Sequence, residues 1–355
     1  MSVKSTKKNK VRFKFFFNII KKPFIKIKHR TSSYLARRPH RSFLRTRRRD
    51  YVRELKLPGY FRFTRIVFDT IWDNRKIFLL LSLFYAIFTG LMVGLASQDT
   101  YQTIADTLSV TGGDMITGFW GQISKAGLLF TSTATGGLSG SLSESQQIFS
   151  GIIILMAWLA SVWLLRNILA GHKPKLRDGL YNAGSPILPT FLVALILIIQ
   201  LLPASLALIG YGAASVTGLL NSGVEAMLFW FTAGILTLIS LYFITSTIFA
   251  LIIVTLPGMY PFKAIKIAGD LVLGRRVRIL LRFLWLLVLT VLAWAIIMIP
   301  IILFDGWIKG VWPAIAWMPI IPVFLLGLGA LTVIWVSSYI YLLYRKVVDD
   351  ESDKK

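Results

Sequence analysis

"FRFTRIVFDTIWDNRKIFLLLSLF" runs from Phe61 to Phe84, and "FKAIKIAGDLVLGRRVRILLRFLW" runs from Phe262 to Trp285, 201 residues later in the chain. Aligned without a gap, each begins with Phe and carries two bases followed by an acid (Arg62, Arg65 and Asp69; Lys263, Lys266 and Asp270) before an apolar stretch. Few positions are identical. What recurs is the pattern of charge and apolarity, which marks a repeated structural unit. In the first copy Arg62, Arg65, Asp69, Asp73 and Lys76 step by three or four residues along one helix face, while Tyr60, Phe63, Val67 and Ile71 share another. The spacing predicts a short helix in the plane of a membrane interface, with its apolar residues toward acyl chains and its charged stripe toward water. Gly274 stands where the second copy would stop.

A third copy is expected at "PKLRDGLYNAGSP", Pro174 to Pro186. Pro174 opens it, Lys175, Asp178 and Asn182 form its polar stripe, and Gly184 and Pro186 close it, although the base precedes the acid by three residues rather than four. The competing reading is generic: a cytoplasmic loop that feeds a membrane helix tends to be basic and amphipathic whether or not it repeats.

Composition places the chain in a membrane. Its 355 residues are 55% hydrophobic yet carry a formal charge of +24, and the mean hydropathy is +0.67. Six apolar stretches are near the length of a bilayer crossing: Ile77 to Ala96, Ile148 to Leu165, Ile187 to Ile209, Met227 to Leu256, Ile279 to Phe304 and Val323 to Leu343. Arg282 interrupts the fifth near its start, and Pro313, Pro319 and Pro322 predict an interfacial or kinked segment ahead of the sixth. No secretory signal peptide is expected, because "FFFNII" is short and enclosed by bases. The absence of cysteine excludes disulfides and thiolate chemistry.

Charge sets the expected orientation. Residues 1–60 hold 20 Lys and Arg against Asp50 and Glu54. The loops after the second and fourth spans add Arg166, Lys173, Lys175, Arg177, Lys263, Lys266, Arg275, Arg276 and Arg278. The alternate loops are acidic, with Asp99, Asp106, Asp114, Glu144, Glu225 and Asp305 against Lys125 and Lys309. Six spans of a cell-membrane protein with both termini cytoplasmic satisfy every loop.

"YPFKAIKIAGDLVLGRRVRILLRFL", Tyr260 to Leu284, resembles the repeated cytoplasmic signature of the YciC family and of the membrane domain attached to some glycerophosphodiester phosphodiesterases. The segment from Phe61 looks like the one that starts those domains, and the layout is similar over residues 60–345. Gly269 departs from the small hydroxyl residue often found near that position, and the basic tail lies outside the family pattern. The resemblance implies an integral six-span bundle with a role in membrane or lipid homeostasis. It transfers no catalytic residue.

The tail, residues 1–58, interleaves Phe and Ile with Lys and then concentrates Arg37, Arg38, Arg41, Arg45, Arg47, Arg48 and Arg49. Anionic inner-leaflet lipids are the expected partner, each base near the surface adding roughly 1 kcal/mol. RNA or the ribosome is the rival polyanion, and fixing the amino terminus inside during insertion is the plainest use of the charge.

Catalytic signals fail. "GLSG", Gly137 to Gly140, matches the nucleophile motif of intramembrane serine proteases, but Ser139 falls on the outer side, and His29, His40 and His172 fall on the inner side. No base is within reach. Dispersed histidines without clustered carboxylates predict no metal site, there is no phosphate-binding glycine loop, and no cofactor is expected. A permease would need polar groups at bilayer depth, and the spans offer Gln200, Thr245, Ser246 and Thr247, with Pro203 as a helix break. Gln200 is expected as an interhelical hydrogen-bond partner, Gly90 and Gly94 as a close-packing pair, and Trp307, Trp312 and Trp317 as an outer aromatic belt. The outer segment 97–147 is where an external ligand would be sought.

The expected molecule is therefore an all-α polytopic membrane protein of six transmembrane helices, three repeats of an interfacial elbow helix plus a helical hairpin. Residues 1–58 form its polybasic cytoplasmic tail, 59–345 its membrane domain and 346–355 a charged cytoplasmic tail. It is expected to be non-enzymatic and organisational, with membrane lipids and a membrane-protein partner, and no small-molecule substrate is indicated. The alternative is a permease or permease subunit for an unidentified solute.

Overall fold

The computed structural model describes residues 57–93, 144–217, 219–221, 223–312 and 318–352. These residues form α1 (Tyr60–Asp73), α2 (Arg75–Met92), α3 (Glu144–Leu169), α4 (Leu176–Ala183), α5 (Ile187–Val216), α6 (Gly223–Ile253), α7 (Pro261–Val272), α8 (Arg276–Val311) and α9 (Ile320–Ser352), with a 3-10 turn at Leu219–Asn221. Among the described residues there is no strand, and six helices (α2, α3, α5, α6, α8 and α9) are long and apolar enough to cross a membrane. Each overlaps one of the six expected stretches. The expected outer segment lies almost wholly outside the described residues, as do the tail arginines Arg37, Arg38, Arg41, Arg45, Arg47, Arg48 and Arg49.

Short helices stand before α2, α5 and α8. In α1, Phe63 and Val67 are fully buried and Ile71 is partly buried against the same core. This overturns one expectation: the face carrying Phe63 and Val67 docks on protein rather than on acyl chains, with the Phe63 ring 4.9 Å from that of Tyr339 in α9. Periodicity detects an apolar face but not what covers it. The aromatic residues left outward are Tyr60, Phe61, Phe68 and Trp72. In α7 the buried stripe is Ala264, Ala268 and Val272, each 201 residues after Phe63, Val67 and Ile71. Small side chains there let α7 pack against α6. In α4 the buried residues are Gly179 and Ala183, and a Cβ on Gly179 would stand 2.9 Å from Leu164 of α3.

A second expectation also fails. The charged stripe from Arg62 to Lys76 does not lie on one helix, because Asn74 takes φ −109° and ψ 25°, ending α1 and starting α2. Its side-chain amide donates to the Thr70 carbonyl at 3.0 Å, and its own carbonyl receives the Ile77 amide at 3.1 Å. At the third short helix Pro174 does not open the helix as expected, because α4 starts at Leu176 with Lys175 as its N-cap. Gly171 at φ 83° ends α3, with the His172 amide returning to the Asn167 carbonyl at 3.0 Å. Gly274 at φ 75° separates α7 from α8. Pro322 lies in the first turn of α9, where no amide is needed.

The larger core joins Phe63, Val67, Ala183, Ala264 and Ala268 of the short helices with Leu164 and Leu165 of α3, Ile252 and Ile253 of α6, and Tyr339 to Leu343 of α9. A smaller cluster of Trp294, Met298, Ile321 and Leu325 joins α8 to α9. Away from both, apolar side chains face outward, including Leu79, Leu83, Leu208, Met227 and Phe231, as acyl-chain contact requires.

Candidate functional site

The polar residues of the spans are used for packing. Pro203 inside α5 has no amide and disturbs the helical ladder. The next amide, that of Ala204, donates across to Ser240 Oγ of α6 at 3.1 Å. The residue after the break is thus tied to the neighbouring helix, while the carbonyl that the proline leaves without its usual donor is that of Ile199, four residues earlier. One turn away, the Thr247 hydroxyl donates to Gln200 Oε1 at 2.6 Å and shares its hydrogen with the Phe243 carbonyl 3.2 Å away. Thr245 donates to the Leu241 carbonyl at 2.5 Å, and Ser246 to the Phe243 carbonyl at 2.9 Å. The four residues singled out for transport are therefore not gathered around a common space: Gln200 meets Thr247, while Thr245 and Ser246 bond to their own helix.

Two arginines tie helix ends together. Arg166 at the end of α3 donates to the Thr255 carbonyl at 3.2 Å and to its hydroxyl at 2.5 Å, just past α6. Arg282 of α8 is buried, donates to the Pro58 carbonyl, and lies 4.1 Å over the Tyr60 ring. Trp285, one turn on, donates to the Thr64 hydroxyl at 3.1 Å. The base that interrupts the fifth apolar stretch is thus a clamp on the start of α1. At the other end of α8, Asp305 and Lys309 pair at 2.8 Å with both side chains largely buried. Trp307 and Trp312 are exposed there, whereas Trp317 lies outside the described residues. Gly90 faces Leu326 of α9 with its would-be Cβ 3.9 Å away, and Gly94 lies outside the described residues.

The elbow charges all lie away from the core. Arg62, Arg65, Asp69, Lys175, Lys263, Lys266 and Asp270 are exposed, and Asp178 is half-buried. Arg65 reaches Asp69 at 3.9 Å with both side chains well exposed, an ion pair of little energetic weight. Asp178 is held because its carboxylate accepts the Lys175 amide at 3.2 Å. Each set stays on its own helix and does not converge with the others.

What does converge was read in the sequence as separate pieces, Asp73 and Lys76 in the first charged stripe and Lys173 among the charges that set topology. A cleft of about 440 Å³ lies where α2 starts and the segment after α3 turns back, lined by Asp73, Asn74, Arg75, Lys76, His172 and Lys173, with Ile77, Ile168 and Pro174 also in its wall. Among the described residues no carboxylate pairs with Arg75, Lys76 or Lys173. The signal was present: bases flank the start of the first span and the end of the second, and an out-and-back pair returns those two ends to the same side. Among the described residues no three His, Asp or Glu side chains assemble as metal ligands. No family model matches the chain, and no curated protein or solved structure matches it.

Proposed function

We propose that this chain is a non-enzymatic, multi-pass protein of the cell membrane with an organisational role in envelope or lipid homeostasis, of the kind its resemblance to the YciC family implies. Its termini are cytoplasmic, and α1, α4 and α7 are the elbow helices of three repeated units set at the inner boundary. One observation supports this most directly. The three short helices bury one face in a shared core and leave Arg62, Arg65, Lys175, Lys263 and Lys266 exposed on the other. A bundle so built presents fixed cations to an anionic leaflet without spending chain entropy on each. The common 201-residue offset of the buried stripes in α1 and α7 supports the repeat.

Tags inserted after Gly140 and at Lys355 are expected on opposite sides of the membrane, and purified protein is expected to prefer vesicles containing phosphatidylglycerol over pure phosphatidylcholine. Tags sharing a compartment, or the lack of a lipid preference, would contradict the proposal. The permease alternative has less support, because the hydroxyls it needs already donate to carbonyls or to Gln200. Solute flux in reconstituted vesicles that disappears in Gln200→Leu would reinstate it.

A further inference from the structure

We infer that the cleft between the start of α2 and the segment following α3 is a binding site for a phosphate-bearing lipid headgroup. This rests on the proposal that the basic end of the bundle faces an anionic leaflet, and it assigns the place where one lipid is held individually.

Arg75 and Lys76 line the cleft from one chain segment and His172 and Lys173 from another, and the Arg75 guanidinium also lies 5.3 Å over the Trp72 ring beside it. Asp73 is the opposing charge in the wall, and it forms no ion pair with these bases. Three permanent cations against one carboxylate leave the lining positive. Asn74 is also part of the wall, and its side-chain amide keeps one N–H beyond the one given to the Thr70 carbonyl. Its volume of about 440 Å³ falls within the ~300–1,000 Å³ typical of small-ligand sites.

Free phosphate and a lipid headgroup share this chemistry, and the wall separates them. Ile77 and Ile168 belong to two helices long and apolar enough to cross a membrane. From Ile77 the same face of α2 continues through Leu80, Phe84, Phe88 and Leu91, of which Leu80 is 54% and Leu91 74% exposed. A headgroup in the cleft would therefore have its acyl chain running along an uncovered apolar stripe. Basic pockets between crossing helices at the inner boundary hold anionic headgroups by this combination of charge and adjoining hydrocarbon.

The test uses the full chain in phosphatidylcholine nanodiscs with and without phosphatidylglycerol, reading bound phosphatidylglycerol by native mass spectrometry. Each cation removed from the site is expected to weaken binding about fivefold, so Lys76→Gln with Lys173→Gln should weaken it roughly thirty-fold. The same charge loss placed outside the cleft, Arg177→Gln with Lys346→Gln, should weaken it less than about threefold, through screened long-range charge alone. Lys76→Arg with Lys173→Arg should retain binding, which separates lost charge from lost folding. Equal weakening by both Gln pairs, or loss in the Arg pair, overturns the assigned cleft while leaving the wider lipid preference standing. A wild type that does not prefer phosphatidylglycerol overturns that wider reading as well. Inorganic phosphate bound as tightly as the lipid makes free phosphate the ligand and overturns the headgroup assignment.

Discussion

Replacing Ser240 by Ala should destabilise the bundle far more than loss of one hydroxyl from a helix surface, and the reason lies 36 positions away. Ser240 is 1% exposed, and its Oγ accepts the Ala204 amide at 3.1 Å, next to Pro203. In Ser240→Ala that amide has no water to turn to, and an unsatisfied buried donor costs about 1–3 kcal/mol. Helix propensity returns at most ~0.7 kcal/mol, so a net loss of at least about 0.3–2.3 kcal/mol is expected. Pro203→Ala removes the ring that distorts the preceding turn and lets the Ala204 amide reach the Gln200 carbonyl within α5, so Ser240→Ala should then cost almost nothing. The coupling between the two changes should reach about 1–2 kcal/mol, above the ~0.5 kcal/mol within which independent sites add. Detergent-titrated unfolding of the four proteins in mixed micelles, followed by far-ultraviolet ellipticity, measures it. An equal cost of Ser240→Ala in both backgrounds would show that Ser240 does not serve the proline break, and the account of this seam would be wrong.

Three other outcomes are expected from the same assay. Arg282→Leu should lose about 1–3 kcal/mol through its bond to the Pro58 carbonyl and its place over Tyr60, and Arg282→Lys should recover less than half, because an ammonium lacks the planar fork. Gly179→Ala should cost about 1–3 kcal/mol by pressing on Leu164, and Leu164→Ala should reduce that increment even though it is itself destabilising. Asp305→Leu alone should cost about 3–5 kcal/mol by stranding a buried partner charge, while Asp305→Leu with Lys309→Met should be near neutral.

The crossings are legible in the sequence because bilayer thickness imposes a length that few other structures need. Their ends are less so. α8 continues past Phe304 to Val311 because Asp305 and Lys309 neutralise each other one turn apart, and hydropathy registers only their charge. The break at Asn74 is hidden because bases and acids continue at helical spacing on both sides of it. The buried faces of the short helices are visible as apolar faces, but Phe63 and Val67 meet Tyr339 and its neighbours rather than lipid, and spacing within one segment carries no information about a partner almost three hundred residues away. Gln200 is readable as a packing residue because a lone amide in a span needs a donor or acceptor nearby, and Thr247 supplies it. The cleft escapes a linear reading because its bases come from the start of α2 and from the segment after α3, almost a hundred residues apart, and only pairing of adjacent spans brings them together.

The buried residues of α6, Ser240 to Ile253, all fall in its second half, whereas Met227, Leu228, Trp230 and Phe231 in its first half are exposed. Tyr211 of α5 lies 5.8 Å from Trp230, so the two helices stay joined at that free end. The pair is therefore packed into the main core at one end only, with the Ala204 to Ser240 bond where that packing begins. Its far half is held by the packing of α5 and α6 on each other. Substitutions in that half should therefore alter the pairing of these two helices while leaving the shared core intact.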